Sequence, residues 1–474
     1  MGNKQVLSAG DRISALLDDA SFVEVGAYVT ARSTDFNLQS GNTEKDGVIT
    51  GYGTVEGRLV YVYSQDNTVL GGAIGEMHAK KISRLYDMAM KVGAPVVGLI
   101  DCAGLRLQEA TDALNAFGEV YLKQTLASGV VPQLTAIFGT CGGGTALIPT
   151  LTDFTFMTKD GSKLFVNSPN ALDGNYAEKL DTASAAYLSE NTALVDAVYE
   201  SDAELLSGLR AMLSMLPSNN GDTTDSECAD DLNRIIPNLE AFKVDARAVL
   251  QNIADNNLFV EIKKDYAKDM VLGLMKLNGQ TIGVVANQAK DGGNLLTTGG
   301  AYIAADFVRF CDAFELPVLT LVNVKGFAAT VSNERTIADA AAKLTYAFAN
   351  ATVPKVTVVM GDAFGTAYSV MNSKAIGADM VYAWPQAKIG TMEPEMAVKI
   401  MYDKELADAS DKKAKLSELV KEYTELQSGA LSAAKRGYID DIIEPDATRK
   451  RVIAAFDMLY TKNEGRPYKK HGAV

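Results

Sequence analysis

Two stretches of the chain decide its fold, VPQLTAIFGTCGGGTA at residues 131–146 and VPKVTVVMGDAFGTAY at residues 353–368. Each has a proline, an apolar run of strand length, a glycine-containing turn and then residues that suit the start of a helix. The second stretch follows the first at a constant offset, which pairs Gly139 with Gly361 and Gly143 with Gly365. Because this period spans nearly half of the chain, far too long for a solenoid repeat, the pattern indicates a duplicated domain.

The same offset relates other landmarks of the two halves. It pairs VEGRLVYV with LNGQTIGV, and APVVGLIDCAG (94–104) with LPVLTLVNVKG (316–326). Strand-like runs alternate with helical stretches such as EMHAKKISRLYDMAMKVG, a pattern typical of βαβ units. The polar stretch PSNNGDTTDSECADDLN at 217–233 indicates a linker. The sequence therefore predicts an α/β protein with one domain over residues 1–222 and a second over residues 223–474.

The composition narrows the class of protein. The net charge of −14 argues against a nucleic-acid partner, because phosphate contacts need clustered Lys and Arg. There is no apolar run of membrane-spanning length and no signal-peptide pattern at the N-terminus. The four cysteines lie far apart, which predicts reduced thiols and a cytoplasmic protein. With only two histidines, His78 and His471, no metal site is predicted.

Each half carries the same pair of turns, and the pair predicts a chemistry. LIDCAGLRLQ and LVNVKGFAAT place a glycine turn after one strand, and FGTCGGGTA and MGDAFGTAY place another before a helix. If the two strands are neighbours, one backbone N–H from each turn can point at a single oxygen. Glycine allows a ligand to approach, and the helix start adds a favourable dipole. Such a pair forms an oxyanion hole from backbone alone.

Other interpretations of the glycines remain open at this point. The stretch GTCGGG lacks the Lys of a Walker A loop and has the wrong spacing for a dinucleotide fingerprint. Cys141 as a nucleophile would need a nearby base, and neither histidine is close in sequence. The glycines could also serve only the close packing of strand against helix.

The chain resembles the carboxyltransferase β subunits of biotin-dependent acyl-CoA carboxylases, transcarboxylases and sodium-pump decarboxylases, which belong to the crotonase superfamily. The resemblance spans nearly the full length. It rests on SFVEVGAYVTARSTDF (21–36), DGVITGYGTVEGRLVYVYSQDNTVLGGAIGEMHAKKI (46–82), LPSNN, VANQAKDGG, FVRFCDAFELPVLTLV, ATVPKVTVV, SKAIGAD, YAWPQAKIGTM and PYKKHG (467–472).

The resemblance implies a fold, a reaction and partners. The fold is two duplicated crotonase-like (ClpP/crotonase) domains, each a ββα superhelix, in a homo-oligomer that ranges from a dimer to a hexameric trimer of dimers. The reaction moves a carboxyl group between carboxybiotin and the α-carbon of a short acyl-CoA. Biotin is carried on a separate biotin carboxyl carrier protein, and the other partner is a biotin carboxylase or a membrane decarboxylase subunit. Acyl-CoA is expected on the N-terminal domain and biotin on the C-terminal domain.

The resemblance also assigns site residues. The amides of Gly104, Leu105, Gly142 and Gly143 are expected to hold the thioester enolate, and those of Gly326, Phe327, Gly365 and Thr366 the ureido oxygen of biotin. Four side chains are candidates for binding or orienting the substrates. Lys80 and Lys81 match the family's HAKK helix and are candidates for the CoA phosphates. Arg106 matches its Arg-x-Gln-Glu segment, and Ser369 falls at a position linked to acyl specificity.

The sequence also departs from the family. DSGGAR has become DCAGLR, with Ala103 and Leu105, and GFLPGxxQE has become GFAATVSNE (326–334). YGGAY has become FGTAY, and Glu393 and Pro394 follow TM where the family has glycine. The biotin side is thus the more divergent. Three alternatives therefore stay open: a scaffold subunit without activity, the α subunit of a sodium-pump decarboxylase, and a crotonase-type isomerase or hydratase.

Overall fold

Each half of the chain is built on a mostly parallel β-sheet with helices packed against it. A computed structural model describes residues 6–32 and 43–467. These residues form two units, which divide between Thr223 and Thr224. The predicted α/β class is confirmed. The early segment 33–36 and the C-terminal segment 468–472 of the family resemblance, like His471, lie outside the described residues.

The sheet of the N-terminal unit runs in the order β1-β2-β3-β4-β5-β6-β8, with β7 paired to the end of β5. β1–β3 are antiparallel, and the pairs from β3 onward are parallel. Its strands are β1 (Val23–Val25), β2 (Val48–Val55), β3 (Arg58–Gln65), β4 (Val96–Cys102), β5 (Gln133–Gly142), β6 (Phe154–Thr158), β7 (Lys163–Phe165) and β8 (Ala197–Tyr199). Its helices are α1 (Ala9–Leu16), α2 (Glu76–Val92), α3 (Ala110–Ala127), α4 (Leu147–Thr150), α5 (Asn175–Glu178), α6 (Ala185–Asn191) and α7 (Asp202–Met215).

The sheet of the C-terminal unit runs in the order β18-β16-β15-β13-β11-β10-β9, with β17 paired to the end of β15, and β12 pairs with β14. Its strands are β9 (Phe259–Ile262), β10 (Met270–Leu277), β11 (Gln280–Asn287), β12 (Leu295–Leu296), β13 (Val318–Val324), β14 (Gly326–Phe327), β15 (Lys355–Phe364), β16 (Met380–Ala383), β17 (Lys388–Gly390) and β18 (Asp441–Ile442). Its helices are α8 (Ala246–Ile253), α9 (Ala289–Gly292), α10 (Thr298–Ala313), α11 (Val331–Glu334), α12 (Ile337–Asn350), α13 (Gly365–Val370), α14 (Pro394–Met401), α15 (Asp403–Asp408), α16 (Lys412–Tyr423), α17 (Ala430–Lys435) and α18 (Thr448–Leu459).

The duplication extends to the bounds of the strands. At the offset that pairs Gly139 with Gly361, β2, β3, β4 and β5 coincide end for end with β10, β11, β13 and β15. Every residue of β4 and of β13 is buried, because parallel strands covered on both faces become part of the core. A hydrogen bond from the first residue of the strand to the last turns of the preceding helix also recurs. Gln133 Nε2 donates to the Gln124 carbonyl near the end of α3, and its counterpart Lys355 donates through Nζ to the Phe348 carbonyl near the end of α12.

Two glycines allow the strands that carry the turns to pack closely. A Cβ at Gly139 in β5 would collide with the carboxylate of Asp101 in β4. A Cβ at Gly361 in β15 would likewise lie 2.7 Å from Oδ1 of Asn323 in β13. The side chains at the ends of β4 and β13 therefore reach across the neighbouring strand only because glycine stands there.

A buried polar cluster fixes the start of α2 in the N-terminal unit. The His78 backbone N–H donates to Oδ2 of Asp46 at 2.8 Å, and its Nδ1–H donates to the Asp46 carbonyl at 2.9 Å. The Gln65 amide donates to Nε2 at 3.2 Å, so the imidazole is neutral with its proton on Nδ1. Burial, reinforced by the charge of Arg106, lowers the pKa of His78 from 6.5 to about 3. His78 is thus a packing residue whose neutral form the fold requires.

This cluster predicts a loss of stability in mild acid. The folded pKa of His78 lies below its unfolded value, so the stabilisation is complete above about pH 6.5 and is lost as the pH falls towards 3. Each pH unit in this window costs about 1.4 kcal/mol of unfolding free energy. We expect His78→Gln to be less stable at pH 7 but to lose less stability than wild type between pH 6.5 and 5, measured by urea unfolding. Equal losses in the two proteins would contradict this.

Candidate active site

The first turn of the N-terminal unit follows β4 and is fixed on both sides by backbone hydrogen bonds. Ile74 N–H donates to the Gly104 carbonyl at 2.9 Å, and Arg106 N–H donates to the Ile74 carbonyl at 3.0 Å. Gly104 has φ +110°, a conformation that favours glycine. The Gly104 N–H is bonded to Sγ of Cys102 at 3.3 Å. The Leu105 N–H, in contrast, has no acceptor among the residues that the structure describes, so it is the amide of this turn that remains available.

The second turn follows β5 and contacts the first. A Cβ on Gly104 would lie 3.4 Å from the Gly142 carbonyl oxygen. Gly142 ends β5, and Gly143, with φ +61°, begins a 3₁₀ turn (Gly143–Ala146) that leads into α4. Tyr121 Oη donates to the Gly144 carbonyl at 2.6 Å. The N–H groups at the start of this turn have no acceptor within the turn and carry the positive end of its dipole.

The C-terminal unit repeats this arrangement. Leu296 pairs with Phe327 where Ile74 pairs with Leu105, and Ala328 N–H donates to the Leu296 carbonyl at 2.9 Å. Gly365, with φ +63°, begins α13 directly after β15. α13 packs against β14, the strand formed by Gly326 and Phe327. Sequence and structure thus bring the predicted residues of each half together within that half.

The structural repeat also pairs a predicted site residue, Thr366, with a glycine that the sequence prediction did not include, Gly144. Gly143 and Gly365 both begin their helical turns, so the offset between the halves pairs Gly144 with Thr366. At the offset between the halves, Gly143 and Gly144 are the counterparts of Gly365 and Thr366. Gly142 instead lies at the strand end, where a Cβ would be 2.8 Å from the ring of Phe165.

A cavity of about 730 Å³ lies beside the second turn of the C-terminal unit. It is lined by the start of α13, the end of β17, a π-helical turn (Thr424–Ser428) and α17 with the residues after it. Burial raises the pKa of Tyr368 to about 12, so its hydroxyl is neutral at physiological pH. The lining residues that bear on recognition are Gly365, Thr366, Tyr368, Ser369, Tyr423 and Tyr438.

Two cavities in the N-terminal unit share Phe165, whose ring lies against Gly142. One, of about 600 Å³, is lined by residues of the 163–183 segment, including Lys163, Tyr176 and Lys179. The other, of about 330 Å³, is mainly apolar and is lined in part by Ala146, the last residue of the 3₁₀ turn, and by Leu147, the first residue of α4. A thioester at the turn would therefore find both polar and apolar surface close by.

Two of the side chains predicted to bind or orient the substrates are buried and form hydrogen bonds within the protein instead. Arg106 is 2% exposed, and its guanidinium donates to Asp46, to Glu109 and to the Ala73 carbonyl. Lys81 is also buried, and its ammonium donates to the carbonyls of Lys45 and Val48. Burial lowers the pKa of Lys81 to about 8. Because both side chains are buried and hydrogen-bonded within the protein, we no longer expect Arg106 or Lys81 to contact CoA directly. Lys80 is half exposed and pairs with Glu76 at 2.6 Å.

The cysteine at the turn lacks what a nucleophile requires. Cys141 is fully buried, and burial raises the pKa of its thiol well above the usual value. The Cys141 thiol donates to the Thr145 carbonyl at 3.4 Å. His78, which could have served as its base, instead forms hydrogen bonds with Asp46 and Gln65. A reactive thiol instead needs a lowered pKa and access. Among residues 6–32 and 43–467, no group of His, Cys, Asp and Glu could hold a metal ion.

The residues of the C-terminal half that differ from the family pattern form local contacts of their own. Glu393 pairs with Lys325, the residue before Gly326, at 2.9 Å, and this contact raises the pKa of Lys325. In the segment GFAATVSNE, Thr330 caps the short helix α11 through the Asn333 N–H at 3.1 Å. The Asn333 side chain in turn accepts the Thr298 N–H at 2.6 Å. The changed residues therefore form an ordered, hydrogen-bonded segment.

The chain is similar in sequence to known proteins over nearly its full length. The chain matches the carboxyl transferase domain over residues 3–474. It is 41% identical to the propionyl-CoA carboxylase beta chain of Roseobacter denitrificans, over 99% of this chain and 93% of that one. It is 40% identical to methylmalonyl-CoA decarboxylase subunit alpha of Propionigenium modestum, with the same two shares covered.

The fold of the chain is also similar to that of a protein of known structure. Transcarboxylase 12S, described as a hexamer assembly with methylmalonyl-coenzyme A and methylmalonic acid bound, superposes with a TM-score of 0.94 at 36% identity. The match covers 98% of this chain and 91% of that one. No helix in the described part of this chain is long and apolar enough to cross a membrane. From the full-length match and the shared fold we conclude that the chain belongs to the carboxyl transferase domain family.

Proposed function

We propose that the chain moves a carboxyl group between carboxybiotin, borne on a separate carrier protein, and the α-carbon of a short acyl-CoA. The observation that carries the proposal is the duplicated pair of amide-bearing turns at the ends of adjacent parallel strands, β4 with β5 and β13 with β15. The relatives are named for propionyl-CoA and methylmalonyl-CoA, which supports a short acyl thioester as the substrate.

In the N-terminal unit, the proposed task is to stabilise the thioester enolate. In carboxylation the α-carbon loses a proton and the ureido nitrogen that gave up its carboxyl group gains one; in the reverse direction the carboxyl group of the α-carbon passes to that nitrogen. In both directions negative charge develops on the thioester oxygen. The Leu105 amide and the amides of Gly143 and Gly144 are the proposed donors, with Gly142 as the strand-end member of the same turn. Donors fixed in advance by the backbone cost no reorganisation when the charge forms, and removing one such donor typically lowers the rate by about 10²–10³. No side-chain nucleophile is needed.

In the C-terminal unit, the proposed task is to bind the ureido ring of biotin. The cavity of about 730 Å³ offers tyrosine rings for the nearly planar ureido ring and backbone donors at its Gly365–Thr366 end, so the residues present suit the group. Gly326 and Phe327 are the proposed donors from the first turn. Carboxybiotin supplies the carboxyl group that is transferred. Ser369 lines the same cavity, and we propose that it influences which acyl group receives the carboxyl group from the biotin bound there.

The proposal includes partners. We propose a homo-oligomer that works with a biotin carboxyl carrier protein and with either a biotin carboxylase or a membrane decarboxylase subunit. The hexameric assembly of transcarboxylase 12S and the names of the relatives support this arrangement. Among the basic side chains considered for the CoA phosphates, Lys80 is retained because its side chain is half exposed.

The test is carboxyl transfer by the purified chain. Labelled carboxyl groups should pass between a carboxybiotinylated carrier and acetyl-, propionyl- or methylmalonyl-CoA. Absence of transfer with every acyl-CoA, together with absence of carrier binding, would overturn the proposal. A scaffold subunit, favoured by the divergent segment 326–334, would instead purify as a mixed oligomer with a second β subunit. In that case, substitution of Gly143 would leave the activity of the complex intact.

Substitution of the turn glycine should reduce catalysis more than stability. At Gly143 a Cβ has space but φ is +61°, so Gly143→Ala should displace the turn and its amides at a backbone cost of about 1–2 kcal/mol. We expect kcat to fall about 10²-fold or more, by the loss of aligned donors. Gly57→Ala is the matched control, since Gly57 has φ +77° and equal space in the β2–β3 hairpin. Equal losses of kcat in both variants would contradict the role of Gly143.

Removal of the neighbouring thiol should leave the chemistry in place. Because Cys141 is buried and its thiol pKa is raised, Cys141→Ala should keep kcat within a few-fold of wild type. Steady-state transfer kinetics and mass spectrometry after incubation with acyl-CoA are the measurements. Complete loss of activity, or an acyl group trapped on Cys141 of the wild type, would restore the nucleophile hypothesis.

A further inference from the structure

The two turns of the N-terminal unit are joined by a side chain that the reaction itself does not use. Cys102, the last residue of β4, is fully buried, and its sulfur lies between the turns. The Gly104 N–H donates to Sγ at 3.3 Å, and Sγ lies 3.3 Å from Oγ1 of Thr145. Thr145 is the third residue of the 3₁₀ turn that begins at Gly143. One sulfur atom therefore contacts both turns.

Thr145 is held by sulfur on two sides. Its hydroxyl meets Cys102, and its carbonyl accepts from Sγ of Cys141 at 3.4 Å. The two cysteines lie opposite each other on the parallel strands β4 and β5. Thr145 is fully buried, so a hydroxyl left without a partner there would be costly. The contact with Cys102 therefore favours one position of the 3₁₀ turn relative to the end of β4, whereas the contact of Cys141 stays within the segment that leads from β5 into the turn.

The contact with Gly104 also bears on which amide of the first turn remains without an acceptor. With its N–H bonded to Cys102, Gly104 adopts φ +110° and presents the next amide, that of Leu105, without an acceptor. Gly104 would lack this internal acceptor if residue 102 were aliphatic. The thiol is thus placed to select Leu105 as the donor.

The duplicated half provides an internal comparison. The offset between the halves pairs Cys102 with Val324, Cys141 with Ala363 and Thr145 with Ala367, so none of the polar partners is present there. The glycine of that turn, Gly326, does not have positive φ. The left-handed glycine therefore occurs in the half that has the thiol and the hydroxyl, and not in the half that lacks them.

We propose that Cys102 and Thr145 are positioning residues for carboxyl transfer, which fix the first turn to the second so that the Leu105 amide and the amides of Gly143 and Gly144 address one oxygen. The inference rests on the proposed function, since its target is the thioester oxygen of the acyl-CoA. Neither side chain touches the substrate. Their effect passes through the backbone of the two turns.

The test compares Cys102→Ala with Cys102→Ser, Thr145→Val and a matched control. Cys311→Ala is the control, because Cys311 is an equally buried thiol on α10 of the other unit. We expect Cys102→Ala and Thr145→Val to lower kcat at least tenfold with KM for acyl-CoA within about twofold, because aligned donors act on the transition state rather than on binding. Cys102→Ser, which keeps an acceptor and a donor, should recover most of the loss. Cys311→Ala should stay near wild type.

A second readout does not depend on activity. Amide hydrogen exchange of the 103–106 peptide should speed up in Cys102→Ala and not in Cys311→Ala, because the Gly104 N–H loses its acceptor. Unchanged exchange there, or a fall in kcat no larger than that of Cys311→Ala, would overturn the positioning role. If the wild type transfers no carboxyl group, the proposed function fails, and the exchange measurement still decides whether the thiol fixes the turn.

Discussion

The candidate site depends on one structural constraint, the parallel pairing of β4 with β5 and of β13 with β15. Parallel neighbours end at the same edge of the sheet, so the turns that follow them meet there. Glycine at 139 and at 361 allows the side chains of Asp101 and Asn323 to reach across the neighbouring strand. When these strands are paired, the backbone places two amide-bearing turns together in each unit. The proposed carboxyl transfer therefore needs few side chains.

Both halves have the same pair of amide-bearing turns, but the side chains around the turns differ. The N-terminal half joins its turns through Cys102 and Thr145, while the C-terminal half has apolar residues at the equivalent positions. The C-terminal half instead has the ion pair of Lys325 with Glu393 beside its first turn, and a tyrosine-lined cavity beside its second. Such differences are expected if the two turns act on different oxygens, one of a thioester and one of a ureido ring.

Much of the fold could be predicted because it rests on repeated local signals, whereas side-chain roles depend on burial and on contacts distant in sequence. Prolines, apolar runs and glycines at a fixed offset predict the strands and turns, and the same offset contained the missed pairing of Gly144 with Thr366. A lysine such as Lys81 looks like a surface cation in a motif, yet its ammonium donates to two backbone carbonyls. Arg106 likewise pairs with Asp46, 60 residues away. Cys102 appears in the sequence only as a change within the segment DCAGLR, and its role could not be predicted from that change because it depends on contacts made in the folded chain.

The division of tasks between the halves is the central claim, and exchange of the α-proton of propionyl-CoA in D₂O tests it most directly. With the biotinylated carrier present, exchange and carboxyl transfer are measured in Gly143→Ala and Gly365→Ala. We expect Gly143→Ala to lose both reactions and Gly365→Ala to lose transfer but keep exchange, since the thioester oxygen meets only the N-terminal turns. Exchange that is lost in Gly365→Ala and retained in Gly143→Ala would contradict this division.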